Sequence, residues 1–182
     1  MDTNRLKNIP LMFLLFVYLP AQAQTWKPVA ATITFKIKHA FGATADGSFK
    51  GFAGILVFDS QNLSNANIKA SIDAKTIDTS LEIRDKTLRG SNYFDIENYP
   101  KISMTSTRIE KGIKENEYLG YFNLTIKKTT KSIKIPFTFV QSDSKAQFKS
   151  TFEVNRLDYE VGEKSSLLKD IATLSITLNV QQ

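Results

Sequence analysis

The chain has 182 residues, with 24 Lys and Arg against 18 Asp and Glu, a formal net charge of +6, a single histidine and no cysteine. That composition excludes a disulfide framework and cysteine nucleophiles, and a lone histidine cannot supply the usual nitrogen-rich site for zinc. The basic excess is mild and interspersed with acids, so it favours anionic lipid surfaces or head groups and lacks the clustered patch of a nucleic-acid-binding protein.

The first element reads as a secretory signal peptide. Arg5 and Lys7 form a basic start, residues 9 to 19 are almost wholly apolar, and Ala21-Gln22-Ala23 offers small residues for cleavage near Ala23. The apolar run is shorter than the roughly 20 residues that span a bilayer. The expectation is an exported, periplasmic or extracellular chain whose single domain covers residues 24–182.

From there the sequence alternates apolar and polar residues with the period of two that marks half-buried antiparallel strands. Ile33, Phe35 and Ile37 open the series, and His39 continues the same face. Residues 47 to 58 read as a strand carrying Gly47, Gly51 and Gly54, and glycine inside a strand marks a bulge or bend. Alternation returns at Ile68-Ala70-Ile72-Ala74, then Ile102 and Met104, Phe122-Leu124-Ile126 and Ile133-Ile135-Phe137-Phe139. It closes with Phe148-Ser150-Phe152-Val154 and Ala172-Leu174-Ile176-Leu178-Val180. Turn signals lie between these runs at Asp46-Gly47, Asp59-Ser60 with Asn62, Lys111-Gly112, Lys127-Lys128-Thr129 and Gln141 to Ser144. Periodicity alone leaves a barrel of about eight strands and a two-sheet sandwich equally open.

One block breaks the rhythm, from Arg84 to Met104. Asp78-Thr79-Ser80 is expected to cap a short helix over residues 81–89, Gly90 stands at its stop, and Pro100 forces Tyr99 into an extended entry to the next strand. Residues 155 to 169 form a second irregular stretch. Arg84 and Asp85 admit two readings: charge-assisted hydrogen bonds that pin the helix, or contact with an anionic head group. His39 is either satisfied by a backbone carbonyl or a polar group in an apolar cavity. No nucleophile elbow, phosphate loop or cofactor motif occurs, so no catalytic, metal or cofactor residue is assigned.

Several short patterns in order carry a resemblance: Phe35-x-Ile37-x-His39, Gly47-Ser48-Phe49, Ser71-Ile72-Asp73, Ile77-Asp78-Thr79, Arg84-Asp85-x-x-Leu88, Tyr99-Pro100-x-Ile102 and Asn155-Arg156-x-Asp158-Tyr159. They resemble the YceI-like family of bacterial exported proteins, over essentially all of residues 24–182. The resemblance implies an all-β, extended lipocalin-like antiparallel barrel with an elongated apolar cavity. It also implies non-enzymatic binding of a polyisoprenoid, isoprenoid quinone or other long-chain, fatty-acyl lipid. Candidate cavity residues are Ile33, Phe35, Ile37, His39, Phe49, Ile72, Phe94, Phe122, Phe137 and Phe152, with Arg84 and Asp85 at the mouth. No nucleic-acid partner is expected, while passing contact with a membrane surface and a homodimer both stay open. The alternatives are an enzyme acting on such a lipid and a filled barrel serving as an interaction or stress-response module. The chain departs from the family pattern at Thr87, where members often carry histidine, and at Lys127-Lys128 and Glu160, where many have glycine.

Overall fold

The computed structural model describes residues 24–182. The expected signal peptide, residues 1–23, lies outside them. Among the described residues nine strands form one antiparallel sheet: β1 (Thr25–His39), β2 (Thr44–Phe49), β3 (Ala53–Val57), β4 (Asn67–Asp73), β5 (Lys101–Lys111), β6 (Glu117–Ile126), β7 (Thr129–Ser142), β8 (Lys145–Asn155) and β9 (Leu168–Gln181). Neighbours in sequence pair except β2 with β3, which both pair with β1, and β1 also pairs with β9, which closes the sheet into a barrel. Among the described strands only β2 lacks a strand partner on its outer flank, and there Ser48 bridges Asp78. β2 and β3 are two halves of one bent strand on the same flank of β1, β2 opposite Ile33 to Lys38 and β3 opposite Thr25 and Trp26. The barrel therefore has eight staves, and the sandwich reading falls away.

The bend lies at Gly51, whose φ of +69° is a left-handed geometry that suits glycine. Asp46-Gly47, expected as a turn, instead lies within β2. Gly47 is opposite Phe35 in register, and a Cβ there would come within 2.5 Å of the Phe35 ring and 2.8 Å of the Asp78 carbonyl oxygen. Glycine is present because an aromatic ring and a crossing chain occupy the space where a side chain would go. The true turn is Ala40–Gly42, immediately before β2.

Among the described residues one α-helix forms, α1 (Glu82–Arg89), and it matches the expected span within a residue. Its start differs in detail. Leu81 occupies the N-cap position without a side-chain bond, and the Asp78 carboxylate turns back to accept the backbone N–H of Ser80. Gly90 ends the helix with its N–H on the Thr87 carbonyl, at φ −71°, so its usefulness there is not a left-handed turn. Lys127 and Glu160, two of the departures from the glycine pattern, both adopt positive φ, 53° and 56°. They touch: Lys127 Nζ donates to the Glu160 carbonyl at 2.9 Å, and Lys128 pairs with the Glu160 carboxylate at 3.1 Å. Departures distant in sequence are thus joined in one surface contact.

Inward-facing side chains divide the interior by depth. Around β3, β6, β7 and β8 it is filled by aromatics: the Phe58 ring meets Tyr118, Phe137, Phe139 and Phe148 at centroid separations of 5.0, 5.8, 4.7 and 5.5 Å. Trp26 seals this end, edge-on to Phe139 at 5.4 Å, with its indole N–H on the Phe58 carbonyl at 2.9 Å. Such edge-to-face contacts add to the burial of large apolar area. The opposite half, towards α1, is hollow.

Candidate functional site

The hollow half encloses a cavity of about 360 Å³. Its walls come from the inward face of nearly every stave. β1 supplies Ile33, Phe35, Ile37 and His39, β2 supplies Ala45 and Phe49, and β4 supplies Ala70 and Ile72. Ile102 and Met104 of β5, Leu124 and Ile126 of β6, Phe152 and Val154 of β8 and Leu174 and Ile176 of β9 continue the barrel wall. Arg84, Thr87 and Leu88 reach in from α1, and Tyr93 and Phe94 from the loop that follows it. Phe94 packs edge-on against Phe49 at 5.7 Å, which fixes that loop to the barrel. The register of β1 against β9 is regular from Ile33 to Ile37 and then breaks, with His39 opposite Leu168 across a bulge. Bulges locally bend a strand and interrupt its ladder, and this one lies where His39 and Leu168 line the cavity.

Of the ten residues expected in the cavity, eight line it: Ile33, Phe35, Ile37, His39, Phe49, Ile72, Phe94 and Phe152. Phe122 and Phe137 do not. They point inward, but at the filled depth of the barrel, where they border a separate chamber of about 60 Å³. The two chambers share Phe52, Ala70, Met104 and Ile176 as their common wall. His39 is half-buried, and its imidazole makes no hydrogen bond among the described residues, so the expected backbone carbonyl partner is absent from the described structure.

Arg84 and Asp85 part company. Asp85 is 4% exposed and is not in the cavity wall. Its carboxylate accepts the backbone N–H of Thr79 at 2.9 Å and the Thr79 hydroxyl. Arg84 grips the same residue from the other side, Nε donating to the Thr79 hydroxyl and Nη2 to the Thr79 carbonyl, both at 2.7 Å. Thr79 therefore relays between the two charges and holds the guanidinium in one orientation against the cavity. No carboxylate among the described residues lies within 4.0 Å of Arg84, and its Nη1 makes no hydrogen bond among them. An arginine so placed is a fixed, incompletely neutralised cation in a mostly apolar wall, the environment in which a charge-assisted bond to an anion is strongest.

Thr79 and Arg156 also line the cavity, and sequence reasoning assigned neither to the site. Arg156 is buried and already satisfied, donating to the carbonyls of Val161 at 3.0 Å and Lys169 at 3.2 Å and pairing with Asp170 at 3.2 Å. It ties the irregular stretch after β8 to the start of β9. Its signal was present in Asn155-Arg156-x-Asp158-Tyr159. Next to it, burial and then the Asp158 charge push the Tyr159 phenol above its usual pKa, so it stays neutral. No group of three or more His, Asp or Glu residues is arranged to hold a metal among the described residues.

Comparison with known proteins agrees with this geometry. The domain pattern described as YceI-like matches residues 25–181. A UPF0312 protein of Pectobacterium carotovorum is 33% identical over 105 residues, 58% of this chain and 54% of the relative. Protein YceI of Salmonella newport is 32% identical over 103 residues, 57% of this chain and 53% of the relative. The alignments thus span about half the length of these curated relatives. Among solved structures, BcnA of Burkholderia cenocepacia superposes with a TM-score of 0.77 at 22% identity, covering 82% of this chain and 95% of that one. A polyisoprenoid binding domain from Saccharophagus degradans gives 0.68 at 13% identity, covering 86% and 97%. These two likenesses concern the fold. With the domain pattern running the length of the barrel, the chain belongs to the YceI-like domain family.

Proposed function

We propose that this barrel binds one long-chain amphiphile, a polyisoprenoid or similar lipid, without acting on it chemically. The tail lies in the apolar cavity and an anionic head group meets Arg84 at the mouth. The observation that carries the reading is the combination of a hollow, apolar half-barrel with one oriented, unpaired arginine in its wall. A volume of about 360 Å³ falls within the roughly 300–1,000 Å³ of small-molecule sites. Burial of a hydrocarbon tail contributes about 25 cal/mol per Å² of apolar surface removed from water, so the tail supplies the bulk of affinity and the head group the orientation. The polyisoprenoid-binding description of the Saccharophagus domain supports the same ligand class. An N-terminal leader would put the protein outside the cytoplasm, where a lipid with a long tail needs a carrier to cross water.

The test compares a prenyl monophosphate with the prenyl alcohol of equal length by equilibrium binding. The phosphate is expected to bind about tenfold more tightly, the size of one charge-assisted hydrogen bond, and Arg84→Gln should erase that preference while leaving the alcohol unaffected. Failure of both ligands to bind would refute the tail site. Equal binding of both, unchanged in Arg84→Gln, would refute the head-group assignment.

A further inference from the structure

The cavity opening is framed by three segments: the turn after β1, the start of α1 and the stretch leading into β9. Each carries a large apolar side chain turned away from the protein. Phe41 is 98% exposed, Ile83 79% and Leu167 59%. The first and third are tied together, with the Ala40 N–H on the Leu167 carbonyl at 2.7 Å. Ile83 lies on the helix between the mouth residues Arg84 and Thr87 and the N-cap Leu81, itself half-exposed. Phe41 has φ +66°, a conformation that a bulky aromatic rarely adopts. The fold holds that ring outward at a cost in backbone strain.

Charge on the same segments is one-sided. Lys38, Lys86, Lys164 and Lys169 are exposed and have no carboxylate within 4.0 Å among the described residues. The acids there are mostly engaged: Glu82 pairs with Arg89, Asp170 with Arg156, and Asp85 is buried on Thr79, leaving Glu163 and Asp78, whose carboxylate accepts the Ser80 N–H. Isolated apolar tips among unpaired lysines fit a bilayer interface, in which apolar side chains enter the acyl boundary while lysines meet anionic head groups. A flat, continuous apolar patch, the mark of a protein partner, is not what these loops present.

We infer that the mouth end of the barrel docks on an anionic membrane surface, with Phe41, Ile83 and Leu167 inserted and the cavity opening facing the lipid. Docked this way, the barrel exchanges its ligand with the bilayer without passing the tail through water. The inference rests on the lipid-binding reading only for what docking achieves, because vesicle binding and ligand uptake are measured separately. Purified protein is floated with vesicles of phosphatidylcholine alone and of seven parts phosphatidylcholine to three parts phosphatidylglycerol. Binding is expected to the mixed vesicles and to fall with added salt. The variant Phe41→Asn with Leu167→Ser should bind at least tenfold more weakly, since each apolar insertion lost is worth about that much. Asparagine tolerates positive φ, so the barrel should melt no earlier than the parent and the loss cannot be ascribed to unfolding. Lys38→Gln with Lys164→Gln should weaken binding to the mixed vesicles by about fivefold per lysine. Equal flotation of the parent and the Phe41→Asn, Leu167→Ser variant, or no flotation of the parent, overturns the inference even if prenyl ligands bind in solution.

Discussion

At the scale of single residues, Thr79 is the pivot. Its N–H and hydroxyl both serve the Asp85 carboxylate, and its hydroxyl and carbonyl both receive the Arg84 guanidinium, so a neutral side chain orients one charge and accommodates another. Asp85→Ala would strand a buried N–H and hydroxyl and remove the counter-charge, costing about 2–4 kcal/mol of stability in urea denaturation. Asp85→Asn keeps an acceptor oxygen and should cost about 1 kcal/mol. Equal losses in the two variants would mean that the carboxylate's charge, rather than its hydrogen bonds, matters. Arg84 and Asp85 stood out in the sequence as a pair because they are adjacent. Adjacent helix residues point in different directions, and the partner that unites them, five and six positions back across a turn, read in the sequence only as part of a helix cap.

Elements were more legible than depth. Strict alternation identified which face of each strand turns inward, from Ile33 through Phe152, because period two is a property of the backbone. The same alternation could not tell that Phe122 and Phe137 lie at the filled end while Phe35 and Phe49 lie at the hollow one, since depth depends on register and on which rings meet across the barrel. Gly47 misled for a related reason: glycine suggested a turn, whereas the cause is the Phe35 ring lying over it. The wall between the two chambers offers a test of how the packing sets cavity length. Phe52→Ala should join the chambers of about 360 and 60 Å³ and move the preferred prenyl chain to a longer one. The half-buried ring makes its loss worth about 2–3 kcal/mol of stability. Unchanged chain-length preference in a folded Phe52→Ala protein would mean that the ligand never reaches that wall.

At the scale of the whole molecule, the chain divides one barrel between two tasks. The aromatic end, from Trp26 to Phe148, supplies a densely packed core in a chain without cysteine, and the end covered by α1 is left open inside. A barrel filled throughout would need no opening, bulge or oriented arginine at one end. The central claim is that the hollow half holds a lipid. It is tested most directly by purifying the protein without detergent, extracting it with organic solvent and identifying by mass spectrometry what it carried. The expected result is a single class of long-chain amphiphile, approaching one molecule per barrel. An extract without lipid, from protein that also takes up no fluorescent prenyl or fatty-acyl probe, would contradict it.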